Sequence, residues 1–327
     1  MIRVRPYLIA LTAVVPLLLA GCSDSGSKTG STGSGGAKKA TSSAGDELVV
    51  LADDLKLQTV DNIVPVVNTK KITAPLQQAL DKVSAAMTTA DLVGLNRQVD
   101  VERKSPEEVA KAYAADQQLA TGVSSGSGRI VVAAANFGEN QILANLYVIA
   151  LKAAGFDASV KPVTNREVYE PALERDQVDV VPEYAGTLTE FLNKKANGPN
   201  AAAKATGDLD ATVTALKELA TAKGLTVLTP SPAADQNAFA VTKAFATANG
   251  LTKLSDLKKV TTSLVLGGPP ECPTRPFCEP GLVKTYGLTF SSFTSLDAGG
   301  PLTKTALKQG KVQVGLVFSS DGSLATP

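Results

Sequence analysis

Apolar positions along this chain follow two rhythms, short β-branched runs and longer stretches at helical spacing, and they alternate from Glu47 almost to the end. Leu48 to Leu51 predicts a strand, Asp53-Asp54 a turn, and Ile63 to Val67 a second extended stretch. Thr73 to Met87 places Leu76, Ala79, Leu80 and Val83 on one helical face. Thr88, with Asp91 three residues on, and Ser105-Pro106-Glu107-Glu108 predict the starts of two further helices. By themselves these three helices read as a small helical domain. Ile130 to Ala134 reads as a strand, Asn136-Phe137-Gly138-Glu139 as a turn, Asn140 to Ala154 as an amphipathic helix ended by Gly155, and Ala158 to Val163 as the next strand. A helix at Glu167 to Asp176 and a buried-type run at Val178 to Val181 follow.

Pro182 cannot donate to a ladder, so the strand is expected to stop there, and Tyr184-Ala185-Gly186-Thr187 leads into another helix. Its free N–H groups would lie at the carboxyl end of a strand, where open α/β sheets bind ligands. A helix at Asp208 to Lys223 and a strand at Leu225 to Leu228 complete one doubly wound α/β lobe. At Pro230-Ser231-Pro232 the chain is expected to cross to a second lobe. That lobe would hold strands at Ala238 to Val241, Ser263 to Leu266, Leu288 to Phe290 and Val312 to Phe318. Its helices would be capped by Ser255, follow Pro280, and span Leu302 to Gln309.

Composition narrows the function. The 327 residues, 44% apolar, suffice for one large or two modest cores. Thirty-two basic against 31 acidic residues give no nucleic-acid surface. The chain has no His and no Trp, which argues against zinc sites and against a secreted thiol or serine hydrolase, so neither catalysis nor a cofactor is expected. Cys272 and Cys278, separated by five residues in Glu271-Cys-Pro-Thr-Arg-Pro-Phe-Cys, suit a disulfide that would hold Arg275 at a loop tip; a free thiol pair is the alternative. Met1 to Gly21 has Arg3 and Arg5, then an apolar run too short to span a bilayer, and reads as a signal peptide. Leu19-Ala20-Gly21-Cys22 resembles a lipobox, which implies lipidation of Cys22. Residues 22–46, Ser/Gly/Thr/Lys-rich and without periodicity, read as a disordered tether reaching roughly 25–30 Å.

The stretch from Asn165 to Phe191 resembles the signature of substrate-binding proteins of osmoprotectant ABC importers, the glycine betaine, choline and carnitine family. Arg166, Glu167, Val168, Tyr169, Pro171, Ala172, Leu173, Asp179, Pro182, Glu183, Tyr184, Gly186 and Thr187 carry the match. The resemblance implies an α/β, two-lobed periplasmic-binding-protein-like (type II) fold with doubly wound sheets and a hinge between lobes. Leu48 to Leu51, Asp53-Asp54, Asn62 to Val67, Leu92, Leu95-Asn96, Val99 to Glu102 and Pro106 to Ala110 match the part that closes such proteins, yet here they open the body. A circularly permuted segment order is therefore expected, with Ala120 to Gly128 as a Ser/Gly joint over the ancestral ends. The second lobe would comprise 47–65 plus 235–327, and the first 66–119 plus 129–234.

Position by position, the resemblance implies a ligand-binding set. Tyr184 would be a cage aromatic, Thr187 and Arg275 would grip a carboxylate, and Asp235 and Asn136 would lie at the cleft. Asn237, Phe318 and Asp61 stand where the family has tyrosines, which thins the aromatic cage to Tyr184 and Phe318 and leaves Asp61 to neutralise a cation by charge. The implied partners are a small-molecule solute, quaternary-ammonium or zwitterionic, and an ABC permease, with membrane anchoring through Cys22. No nucleic acid is expected, and the protein would be a monomer on the outer face of the cytoplasmic membrane. The alternative is a binding protein for another small cationic or polar solute, or a sensor lipoprotein that kept the fold without transport.

Overall fold

The computed structural model describes residues 47–122 and 125–324, which belong to one compact unit. The expected signal peptide, Cys22 and tether lie outside the described residues, as does the middle of the Ser/Gly joint. In order, the chain forms β1 (Leu48–Leu51), β2 (Ile63–Asn68), α1 (Ala74–Ala86), α2 (Thr89–Asp100), α3 (Pro106–Asp116), β3 (Arg129–Ala134), α4 (Gly138–Ala153) and β4 (Asp157–Pro162). There follow α5 (Arg166–Glu174), β5 (Val180–Tyr184), α6 (Ala185–Asn197), α7 (Leu209–Thr221) and β6 (Leu225–Val227). The remainder is β7 (Asn237–Thr242), α8 (Lys243–Asn249), β8 (Val265–Gly268), α9 (Glu279–Tyr286), β9 (Ser292–Ser295), α10 (Pro301–Lys308) and β10 (Val314–Phe318).

These strands make two five-stranded sheets, β4-β3-β5-β2-β6 and β9-β8-β10-β7-β1, the cores of two lobes. Each has the same plan, with its fourth strand antiparallel to both neighbours. That strand is the one entering from the other lobe, β2 after Asp61 and β7 after Asp235. A chain arriving across the hinge meets the sheet from the opposite end, so both sheets are mixed. The crossings run side by side, with Asp235 N–H donating to the Asp61 carbonyl at 3.1 Å and Asn62 bridging to Ala234.

Because β2 lies wholly in the first sheet, the chain leaves the second lobe at Asp61–Asn62, ahead of the boundary at 65–66 read from sequence. The helices α1 to α3 are not a separate domain: Leu76, Leu80, Leu92, Val109 and Leu119 share one core with α4. Thr88 and Asp91 make the reciprocal capping box expected of them, and Ser105 accepts from the N–H of Glu108 ahead of Pro106.

Three local expectations change. β5 continues through Pro182 because Pro65 lies opposite it, so neither ring takes a hydrogen from the ladder, and the Pro182 carbonyl accepts from Asn140 Nδ2 at 2.9 Å. The segment after Lys253 is a 3₁₀ turn capped by Asp256, with the Ser255 hydroxyl directed to Asp54 instead. The strand expected at Leu288 to Phe290 forms at Ser292–Ser295, since Leu288 is drawn into the core behind the left-handed Gly287. The helix α8, seven residues long, is too short to show a period.

Candidate functional site

Between the lobes lies a cleft of about 740 Å³, an ordinary size for a small-molecule site. The turn after β5 forms one wall. Gly186 is required here, because a Cβ would collide with the Thr59 side chain and the Val60 carbonyl. That close approach brings Asp61 onto the start of α6, where its Oδ1 accepts from the Thr187 N–H at 3.0 Å. The helix terminus is therefore capped from within the chain, and the free donors expected of it are in use.

Much of the 165–191 stretch turns out to hold itself together. Arg166 donates from Nε and Nη2 to the two Glu183 oxygens at 2.8 and 2.6 Å, and from Nη2 to Thr187 Oγ1 at 2.8 Å. The Tyr169 hydroxyl adds a 2.7 Å bond to Glu183, whose side chain is 1% exposed. Burial acts against the Arg166 charge, and Glu183 outweighs it, leaving the guanidinium held well above its ordinary pKa. The pair is a rigid support for the cleft wall.

Behind that wall sits a group of buried acids. Glu139, in the first turn of α4, accepts from Tyr184 Oη at 2.7 Å and from Asn96 Nδ2 and Ser320 Oγ at 2.6 Å each. Burial pushes its carboxyl up, against the pull of these three donors. Asp235 accepts from the Ser320 N–H at 2.9 Å and is pushed well up by burial and then by the charge of Glu139. Asp61 is pushed up to about 7 by burial, which exceeds the opposing effects of the Thr187 N–H and Arg166. With Arg166 committed to Glu183, the hinge side of the cleft has an excess of carboxyl groups.

Aromatic faces line the same cleft. Phe137, Tyr184 and Phe318 form a continuous stacked run, with centroid separations of 6.4 Å for Phe137–Tyr184 and 5.7 Å for Phe137–Phe318. A cation against such faces gains roughly 0.5–2 kcal/mol per ring. The second lobe closes the mouth with the loop tied by a Cys272–Cys278 disulfide. Arg275, at its tip, donates from Nε and Nη2 to Glu167 of the first lobe at 3.2 and 3.0 Å, and Nη2 lies 3.1 Å from Glu271. Burial works to raise Glu167, but Arg275 overrides it and holds the carboxyl below its ordinary value.

All eight candidate residues line this one cleft: Tyr184 and Thr187 on the first wall, Asp61 and Asp235 at the hinge, and Asn136, Asn237, Arg275 and Phe318 around them. Asn237 donates to the Phe277 carbonyl at 3.1 Å and so braces the disulfide loop. Sequence reasoning missed Phe137, which the turn before α4 carries into the gap between the two expected aromatics, and Glu167, which meets Arg275 across the mouth. An aromatic just before a helix start was the only signal for the first.

A family model described as the substrate binding domain of ABC-type glycine betaine transport system matches residues 40–116 and 128–326. Among solved structures, one titled "Crystal structure of glycine betaine/carnitine/choline ABC transporter" is 20% identical, covering 59% of this chain and 70% of that chain with a TM-score of 0.38.

Proposed function

The chain belongs to the family of substrate-binding domains of ABC-type glycine betaine transport systems, and from that premise we propose that its cleft closes over a small quaternary-ammonium or zwitterionic osmoprotectant. It is the binding component of an ABC importer, working outside the cytoplasm and handing its solute to a permease. The family is one of solute-binding proteins, and we assign this chain no catalytic step.

The observation that carries the ligand reading is the meeting, in one interlobe cleft, of three stacked aromatic faces with the hinge carboxyl groups of Asp61 and Asp235. Aromatic faces favour a cation, and a cation beside these raised carboxyl groups in turn favours their charged form. Lobe closure about Asp61–Asn62 and Ala234–Gln236 is the motion. Lipidation of Cys22 and the tether behind it would keep a monomeric body near the membrane.

The segment order fits a circular permutation. Lobe one is traversed as β2, β3, β4, β5, β6, and lobe two follows the same plan, β7, β8, β9, β10, β1, only when the ends are read as joined. A chain linked from Pro327 to Glu47 and opened within 120–128 is expected to fold with unchanged ligand binding; failure to fold would count against the permutation.

Thermal unfolding with and without betaine, choline, carnitine, proline and polyamines tests the ligand class. A ligand at 100 times its dissociation constant adds about 2.7 kcal/mol to native stability. A rise in midpoint with a quaternary-ammonium solute is expected, and none across the panel would overturn the reading.

A further inference from the structure

A second cavity, of about 140 Å³, shares the Phe137–Phe318 pair with the solute cleft as a common wall. Both lobes build it: Asn96, Asp100 and Glu139 come from the first, and Asp297, Ser320 and Asp321 from the second. Four of these six are carboxyl groups, and no basic residue lines the cavity. Asp297 is spent on the start of α10, where it accepts from the N–H groups of Leu302 and Thr303 at 2.9 Å each. Lys304 offsets part of the remaining charge, at 2.5 Å from Asp321 and 3.9 Å from Asp100. Burial pushes the Asp100 carboxyl up, Lys304 and Arg103 oppose that, and Asp321 and Asp297 add to it.

Acidic residues alone make no site, and Asn96 adds an observation of a different kind. It is 6% exposed, and its Nδ2 donates to Glu139 at 2.6 Å and to the carbonyl and hydroxyl of Ser320 at 3.2 and 3.0 Å. These contacts fix which way the amide faces, since a turned amide would set its oxygen against the Glu139 carboxylate. Its Oδ1 is buried and has no hydrogen-bond partner. An amide oxygen in that state is costly until a donor or a cation reaches it.

We propose that this interlobe cavity binds a small alkali cation, sodium in the first place, through Asn96 Oδ1 and the carboxylates of Glu139 and Asp100. Every donor is an oxygen, which selects a hard cation. Among the described residues no three metal-binding side chains gather as a divalent ion would need, so a single charge with water completing its shell is the fit. Such a cation favours the charged forms of Glu139 and Asp100, both raised by burial. The charge it neutralises belongs to both lobes, so its binding favours the arrangement in which they meet.

Thermal unfolding midpoints of the purified protein in sodium chloride and in caesium chloride at equal concentration, with no organic solute present, test this. Screening is the same in both salts and cancels. The parent should unfold at a higher midpoint in sodium, with a saturating dependence on its concentration. Asp100→Asn should remove most of that difference. Lys304→Met leaves Asp100 and Asp321 uncompensated and should bring half-saturation to a severalfold lower sodium concentration, a gain that misfolding cannot imitate. Equal midpoints in the two salts would overturn the proposal. A sodium effect that both variants leave unchanged would overturn it too, and would mark an adventitious ion only. None of these outcomes depends on which solute the neighbouring cleft takes.

Discussion

Two arginine–carboxylate forks in this protein have nearly the same geometry and opposite meanings. Arg166–Glu183 lies within one lobe, with side chains 7% and 1% exposed. Arg275–Glu167 spans the two lobes, with side chains 28% and 38% exposed. In the first, burial keeps most solvent away and neither partner can be released without leaving a bare charge in the interior. In the second, water competes for both ends, so the fork is cheap to open and can exchange partners. Burial, more than hydrogen-bond length, separates a part of the frame from a part that moves.

The sharpest break in that comparison is Arg166→Met, which leaves Glu183 buried and unpaired and should cost about 3–5 kcal/mol in urea unfolding. Arg275→Met is its counterpart, and it belongs at the bottom of the scale, within about 1 kcal/mol. Equal losses would mean that the two forks do the same job.

Titration separates the two environments by sign. The Asp61 pKa is raised in the folded state, so its favourable contribution is present at low pH and is lost as pH climbs from about 4 to about 7. Arg166, Glu183 and the Thr187 N–H face this carboxyl, and Asp235 lies beside it across the hinge. Asp61→Asn should therefore gain on the parent across that window, on the order of 3 kcal/mol, as read by midpoints at matched pH. Glu167 has a lowered pKa and contributes in the opposite sense: its stabilisation is present above its unfolded value and lost as pH falls. Glu167→Gln should lose against the parent near pH 7, by less than about 1 kcal/mol, and match it near pH 3.

Between these extremes stands the loop that carries Arg275. Replacing Cys272 and Cys278 by serine should cost roughly 2 kcal/mol from the released loop entropy. The Arg166 fork, in the other lobe, should not register that change, so the cost of Arg166→Met should be the same with and without the disulfide.

Much of this architecture could be read along the chain. Strands such as Ile130 to Ala134 and helices such as Thr73 to Met87 show their period directly, Thr88 and Ser105 announce their caps, and the two cysteines their bridge. The candidate residues were found because a motif spanning α5, β5 and the turn after them is local. What escaped depends on distant partners. The cap of α6 comes from Asp61, 126 residues away, and the partner of Arg275 from Glu167, 108 residues away. Pro182 reads as a stop because nothing near it in sequence reveals Pro65 across the ladder. Phe137 sits in a turn, where no periodicity marks which way a side chain will face.

The central claim is that a cationic solute is held in the cleft against the aromatic run, and calorimetric titration of choline into the parent and Phe137→Leu tests it most directly. Saturable one-site binding by the parent, weakened about tenfold in Phe137→Leu with an unfolding midpoint close to the parent's, is the predicted result. No saturable heat in the parent, or the same affinity in both proteins, would contradict it.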